Sequence, residues 1–120
     1  MKLYISGPMT DLPELNKPAF HAESARLRAL GFEVENPALV ELGPDATWLD
    51  YMRVDIKLAV DCDGIAMLPG WEKSRGAPIE RNLLHDLGLP VYRASTIAGL
   101  AAGMVVLSAD VLVPAEAEAT

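Results

Sequence analysis

Two carboxylates sit where amphipathic helices ought to carry apolar side chains. Glu80 shares the register 80/83/84/87 with Leu83, Leu84 and Leu87, so it faces the core. Asp55 falls on the stripe between Met52 and Leu58/Ala59. Burying an ionised carboxylate is costly, so such groups have partners or raised pKa values. Otherwise they are rim residues that reach water. Their surroundings differ. Glu80 lies in the first turn of its helix, where the macrodipole and free N–H groups favour an anion, which suits a nucleophile. Asp55 is mid-helix among apolar neighbours, which suits a carboxyl that keeps its proton and works as acid or base. A carboxylate nucleophile with a carboxyl acid/base is the arrangement of retaining glycosidases, whose two groups stand about 5–5.5 Å apart.

The elements that must position this pair follow from pattern. Lys2 to Ser6 reads as a strand ended by Gly7-Pro8, and the loop to Asn16 holds two prolines. Asn16 is the expected N-cap of a helix running to about Leu30, with Pro18 in its first turn and Gly31 as its stop. Phe32 to Asn36 reads as a second strand, and Ala38 to Ala46 as a loop without clear order. Thr47, with Asp50 as capping-box partner, opens a helix from Trp48 to about Asp61. Gly64 to Leu68 is a third strand, followed by a loop and a helix from about Ala77 to Leu87 stopped by Gly88. Leu89 to Tyr92 is a fourth strand. Beyond Arg93, Thr96 to Ala102 could form a helix, Met104 to Leu107 or Val111 to Val113 a last strand, and Pro114 to Thr120 a disordered tail. Strands alternating with helices imply an α/β fold, a parallel sheet of four to five strands with helices on both faces. The carboxyl ends of strands one and three then bring Tyr4 to Met9, Asp55 and Glu80 toward one crevice, where such folds bind ligands.

Other residues near this edge carry two readings each. Ser74 and Gly76 could hold a phosphate or a sugar hydroxyl, or form a plain turn, and Ser6-Gly7 offers the same pair. Tyr4 is a contact or an ordinary strand aromatic. Arg75 and Lys73 are anion partners or solvated loop charges. Trp71 stacks a base or covers the sheet edge. His21 and His85 are explained by exposed helix faces, so no metal site is expected. Cys62 sits on an apolar face and reads as inert core. No dinucleotide fingerprint or P-loop occurs, and no cofactor is expected.

Composition narrows the function classes. The chain has 120 residues, enough for one core. Hydrophobic residues make up 51%, which excludes a disordered chain. A net charge of −7 argues against a nucleic-acid polymer as partner, since that binding runs on Lys/Arg clusters. Cys62 is the single cysteine, so no internal disulfide forms and a reducing compartment is expected. The first residues enter a strand without a signal-peptide pattern, and the apolar stretch Ile97 to Val113 is broken by Gly99, Gly103, Ser108 and Asp110. A cytoplasmic protein with no membrane partner is the expectation.

The order YISGPM (Tyr4 to Met9), RVDIKLAVDCDGI (Arg53 to Ile65) and LPGWEKSRGAPIERNLLHDLGLPV (Leu68 to Val91) resembles the nucleoside 2-deoxyribosyltransferase-like superfamily. Within it, the look is of small bacterial and phage proteins of a domain-of-unknown-function branch sharing S-x-G-A-x-x-E. The resemblance covers about residues 1–92, so the α/β domain is set at 1–93 and 94–120 is left as an apolar segment and acidic tail expected to be disordered at its end. It implies a flavodoxin-like three-layer sandwich and cleavage or transfer at the N-glycosidic bond of a (deoxy)nucleoside or nucleoside 5′-monophosphate. It places a nucleophilic Glu at Glu80 and an assisting Asp at Asp55, eight residues before Asp63, which opens the next strand. It implies substrate contacts from Tyr4, from the loop Ser6, Gly7, Pro8 and Met9, and from Ser74; Asp63, Trp71, Arg75 and Gly76 complete the set of candidate substrate-binding residues. The loop Gly-Pro-Met-Thr departs from the basic, glycine-rich phosphate loop of the 5′-monophosphate hydrolases, so nucleoside and monophosphate both stay open. Relatives of this kind are homodimers or larger homo-oligomers in which a neighbour completes the site. The alternative is a non-catalytic nucleotide-binding module using the same crevice. A third reading is an interaction protein whose apolar tail docks a partner.

Overall fold

The computed structural model describes residues 1–108. The elements run β1 (Lys2–Ser6), α1 (Lys17–Ala29), β2 (Glu33–Glu35), α2 (Trp48–Val60), β3 (Gly64–Met67), α3 (Ala77–Asp86), β4 (Val91–Arg93), β5 (Ile97–Ala101) and β6 (Met104–Leu107). The first four strands form one sheet in the order β2-β1-β3-β4. Every pairing in it is parallel. The chain leaves β1 in one direction for β2 and returns on the other side for β3. The order therefore reverses between β1 and β3, the switch point of a flavodoxin-like sheet.

Alternation along the strands builds the two faces. Leu3 and Ile5 point to one side with Ala66, where Phe20 and Leu27 of α1 close the core together with Val34. Tyr4, Ile65 and Met67 point to the other, against Ala59 of α2 and Leu84 of α3. The result is a three-layer sandwich with helices on both faces. Each buried strand residue is fully or almost fully enclosed, as expected for a parallel sheet covered twice.

The helix signals read from the chain are present with one exception. Thr47 Oγ1 accepts from the Asp50 N–H and Asp50 Oδ2 from the Thr47 N–H, a complete capping box. Gly31 and Gly88 end their helices with φ of +106° and +85°. Asn16, expected to cap α1, does not. Its φ is +60°, and its Nδ2 donates to the Pro8 carbonyl instead. The side chain is used to close the loop before the helix. Leu87, assigned to the apolar stripe of α3, is 58% exposed because that helix ends at Asp86.

Past Arg93 the expectation changes. The stretch read as a helix, Thr96 to Ala102, instead contains strand β5 (Ile97–Ala101), paired antiparallel with β6. Ala102 and Gly103 turn the hairpin with φ of +52° and +77°, the both-positive pattern of a type I′ turn. Met104 to Leu107 is a strand, as read, but it joins this separate two-stranded sheet and not the main one. The expectations for Val111 to Val113 and Pro114 to Thr120 lie outside the described residues. Among the described residues, no helix is long and apolar enough to cross a membrane.

Candidate functional site

Tyr4 and Ser6 are two apart on β1, so both point to the α3 side of the sheet. There they meet Glu80. Tyr4 Oη donates to Glu80 Oε2 at 2.9 Å, and Ser6 Oγ donates to Oε1 at 2.6 Å. Each carboxylate oxygen thus has one hydroxyl, and the whole side chain is only 5% exposed. Burial raises the Glu80 pKa, while the Ser6 and Tyr4 hydrogen bonds oppose that rise; the balance stays above the ordinary value. The N-terminal turn alone therefore does not keep this group a strong acid. Tyr4 is pushed well above 10 by burial first and by the Glu80 and Asp55 charges next, so its hydroxyl stays a donor.

Asp55 comes from α2 to the same cavity. Its Oδ1 is buried and has no hydrogen-bond partner among the described residues. Burial, then the charge of Glu80, raises its carboxyl from 3.8 to about 7. With two carboxylates in mutual repulsion, the one holding two hydroxyl donors ionises first and the other retains the proton. In the singly ionised pair the anion is therefore on Glu80 and the proton on Asp55.

The cavity has a volume of about 190 Å³ and opens at the carboxyl ends of β1 and β3. Its walls come from four places. Gly7, Met9 and Thr10 follow β1, and Leu15 and Lys17 lead into α1. Pro37, Ala38 and Val40 form the turn after β2. Trp48, Tyr51 and Met52 lie on α2 one and two turns before Asp55. Ser74, Gly76 and Ala77 open α3. Two glycines allow the close approach. A Cβ on Gly7 would stand 2.8 Å from Leu68 Cβ, and one on Gly76 would stand 2.9 Å from Met52 Sδ. Ser74 Oγ accepts from the Ala77 N–H at 3.3 Å, so it holds the start of α3 as well as lining the cavity.

Of the residues singled out from sequence, Tyr4, Ser6, Gly7, Met9, Asp55, Ser74, Gly76 and Glu80 line this cavity, and four do not. Asp63 is at the opposite end of the sheet. Its Oδ2 accepts from the Lys2 N–H at 2.8 Å, because the residue before a parallel strand sits at the amino edge. Trp71 packs against the cluster of Tyr4, Ala59 and Ile65, so it covers the sheet edge. Arg75 stacks its guanidinium 3.7 Å from the ring centre of Trp48, a lining residue, in a cation–π contact, and is not itself in the lining. Pro8 contributes its carbonyl to Asn16 and lies outside the lining.

Reading the sequence missed Lys17, Phe20 and the turn Pro37 to Val40. It also missed Trp48, Tyr51 and Met52, although they share the helical stripe that made Asp55 conspicuous. The turn carries no local signal; tertiary folding alone brings it to the mouth. Cys62 is buried with its thiol pushed up to about 12, and Sγ donates to the Leu58 carbonyl, which makes it an unreactive core group. Among the described residues, no group of three or more His, Cys, Asp or Glu could hold a metal ion.

No curated protein matches this chain. A family model described as a domain of unknown function, DUF4406, matches residues 1–93. Those residues contain the whole four-stranded sheet, α1 to α3 and every side chain that lines the cavity, and the chain belongs to the DUF4406 family.

Proposed function

We propose that this cavity cleaves or transfers the N-glycosidic bond of a (deoxy)nucleoside or nucleoside 5′-monophosphate. One observation carries the reading. A buried carboxylate oriented by two hydroxyls, Glu80, shares a cavity with a second carboxyl, Asp55, whose Oδ1 has no partner among the described residues. A buried carboxyl with an unpaired oxygen beside a second buried carboxyl is out of place in a purely structural core and fits acid/base chemistry. The resemblance of the Tyr4 to Met9 and Leu68 to Val91 motifs to the nucleoside 2-deoxyribosyltransferase-like superfamily supports the same chemistry.

In this mechanism Glu80 attacks the anomeric carbon from the face opposite the base and forms a glycosyl-enzyme ester. Ser6 and Tyr4 hold the carboxylate in line. The bond to the base nitrogen breaks as Asp55 gives its proton to the leaving base. Water or a second base then displaces Glu80, and Asp55 takes a proton back from water or from the incoming base. The aromatic and apolar walls, Trp48, Tyr51 and Met52, give the base a surface to rest on. The cation Lys17 stands among the lining residues and suits a substrate with an anionic group. Incubation with a panel of nucleosides and monophosphates, followed by chromatography for free base, tests the proposal. Release that disappears in Glu80→Gln supports it. A protein that binds such ligands without releasing base from any of them is a binding module.

A further inference from the structure

Trp48 is the first residue of α2, and Arg75 lies two residues before α3 begins. Those helices carry Asp55 and Glu80, so the two residues stand at the starts of the elements that bring both carboxyls to the cavity. A side chain at the end of a helix has few neighbours from its own element, and Trp48 is only half-buried. The loop that opens α3 supports it from two sides. Arg75 lays its guanidinium over the ring, 3.7 Å from the centre. A Cβ on Gly76 would stand 3.9 Å from Trp48 Cζ2, so the rim of the indole lies beside Gly76.

Trp48 lines the cavity and Arg75 does not. Arg75 therefore occupies one face of the indole, and the ring meets the cavity on the side that Arg75 leaves open. A planar guanidinium stacks flat on an aromatic face, which restricts the ring before any ligand arrives. Binding then pays less to order it. Asp55 follows on α2 after two turns, about 10 Å along the helix axis. That is the length of a nucleoside.

We propose that Arg75 is a positioning residue. It fixes the Trp48 ring as a platform on which the planar heteroaromatic ring of the ligand stacks, with the sugar directed toward Asp55 and Glu80. This role rests on the proposed function only in requiring that the cavity take a nucleoside or nucleotide. It holds whether or not the glycosidic bond is then broken.

The full chain labelled with 5-fluorotryptophan tests it. The two tryptophans give two fluorine resonances, and Trp48→Phe identifies that of Trp48. The probes are 2′-deoxyadenosine, 2′-deoxycytidine and their 5′-monophosphates, added to the Glu80→Gln protein so that they stay intact. The ring-free control is 2-deoxyribose 5-phosphate. A ring-bearing probe shifts the Trp48 resonance and leaves that of Trp71 in place, and the control shifts neither. In Arg75→Ala the Trp48 resonance of the free protein moves, while that of Trp71 does not. The dissociation constant of the probe rises roughly two- to tenfold, the cost of ordering one side chain. The factor is the same for a nucleoside and its monophosphate. With Glu80 in place, Arg75→Ala raises KM more than it lowers kcat. A loss of affinity confined to the monophosphates means that Arg75 pairs with the phosphate, which overturns the proposal. An unchanged affinity in Arg75→Ala overturns it as well, and so does a Trp48 resonance that none of the ring-bearing probes moves. Base release with the Trp48 resonance unmoved overturns this role alone. A Trp48 shift without base release overturns cleavage and leaves this role standing.

Discussion

Glu80 shows how a single residue can be misread by one local rule and rescued by another. First-turn placement predicts a stabilised anion, but enclosure by β1 raises its pKa, and only the Ser6 and Tyr4 hydroxyls hold it within reach of ionisation. Ser6→Ala removes one of these donors. A hydrogen bond to a charged group is worth about 1.5–3 kcal/mol, and about 1.4 kcal/mol is one pKa unit. The acid limb of the activity profile therefore moves up by roughly a unit or more in this variant. Glu80→Gln lowers base release by on the order of 10³-fold or more while leaving the fold intact, as measured by single-turnover kinetics and circular dichroism. In the proposed mechanism Asp55 sets the basic limb. It must be protonated to act as acid, so turnover falls as pH rises through about 7. Its effect on stability has the same sign. The folded carboxyl titrates near 7 and the unfolded one near 3.8, so the native state binds the extra proton between them. Stability from this group is full below about 3.8 and is lost as pH rises to about 7. Asp55→Asn is therefore more stable than wild type at pH above this window, and the difference shrinks on acidification. Denaturant melts across the range check it; a constant difference would count against the raised pKa.

The elements meet closely at two glycines, and the contacts differ in kind. An added methyl at Gly7 strikes Leu68 Cβ, which is anchored to the backbone at the end of β3. At Gly76 it strikes Met52 Sδ and Cε, the mobile end of a long side chain. Gly7→Ala should cost about 1–3 kcal/mol and Gly76→Ala markedly less, read from urea midpoints. A larger loss at Gly76 would mean that α2 and α3 cannot adjust. The capping box of α2 was legible in Thr47 and Asp50 because it is a purely local device. Asn16 was misread because its partner, the Pro8 carbonyl, belongs to a loop geometry that no local pattern encodes. Thr96 to Ala102 was misread for a related reason. Its alanines fit a helix, and only pairing with Met104 to Leu107 makes it a strand.

Across the whole molecule, Arg26 is one of the groups that tie the hairpin to the four-stranded sheet, beside the packing of Ile97, Leu100 and Val105 on its core. It reaches from α1 to the Ala94 and Ile97 carbonyls while pairing with Glu23. Arg26→Met keeps the apolar stem and removes both donors. Amide exchange over residues 97–107 should accelerate, with the β1 and β3 amides unchanged. Uniform acceleration would show that the hairpin and the sheet unfold together. The flavodoxin-like order places both carboxylates at the switch point between β1 and β3, where the chain must leave a crevice.

By itself the sequence determined the alternation of strands and helices, the α/β class, and the two misplaced carboxylates. Each of these follows from periodicity and from glycine and proline, which act within a few residues. Tertiary structure decided the rest. It put the Tyr4 and Ser6 hydroxyls on Glu80, 76 and 74 residues away in the chain. It sent Asp63 to the far edge, although Asp63 is only eight residues from Asp55, because a helix running back across the sheet separates them. It also brought the turn Pro37 to Val40 to the cavity mouth. Such contacts depend on strand order and register, which are set by the packing of the whole core and by no stretch of the chain alone.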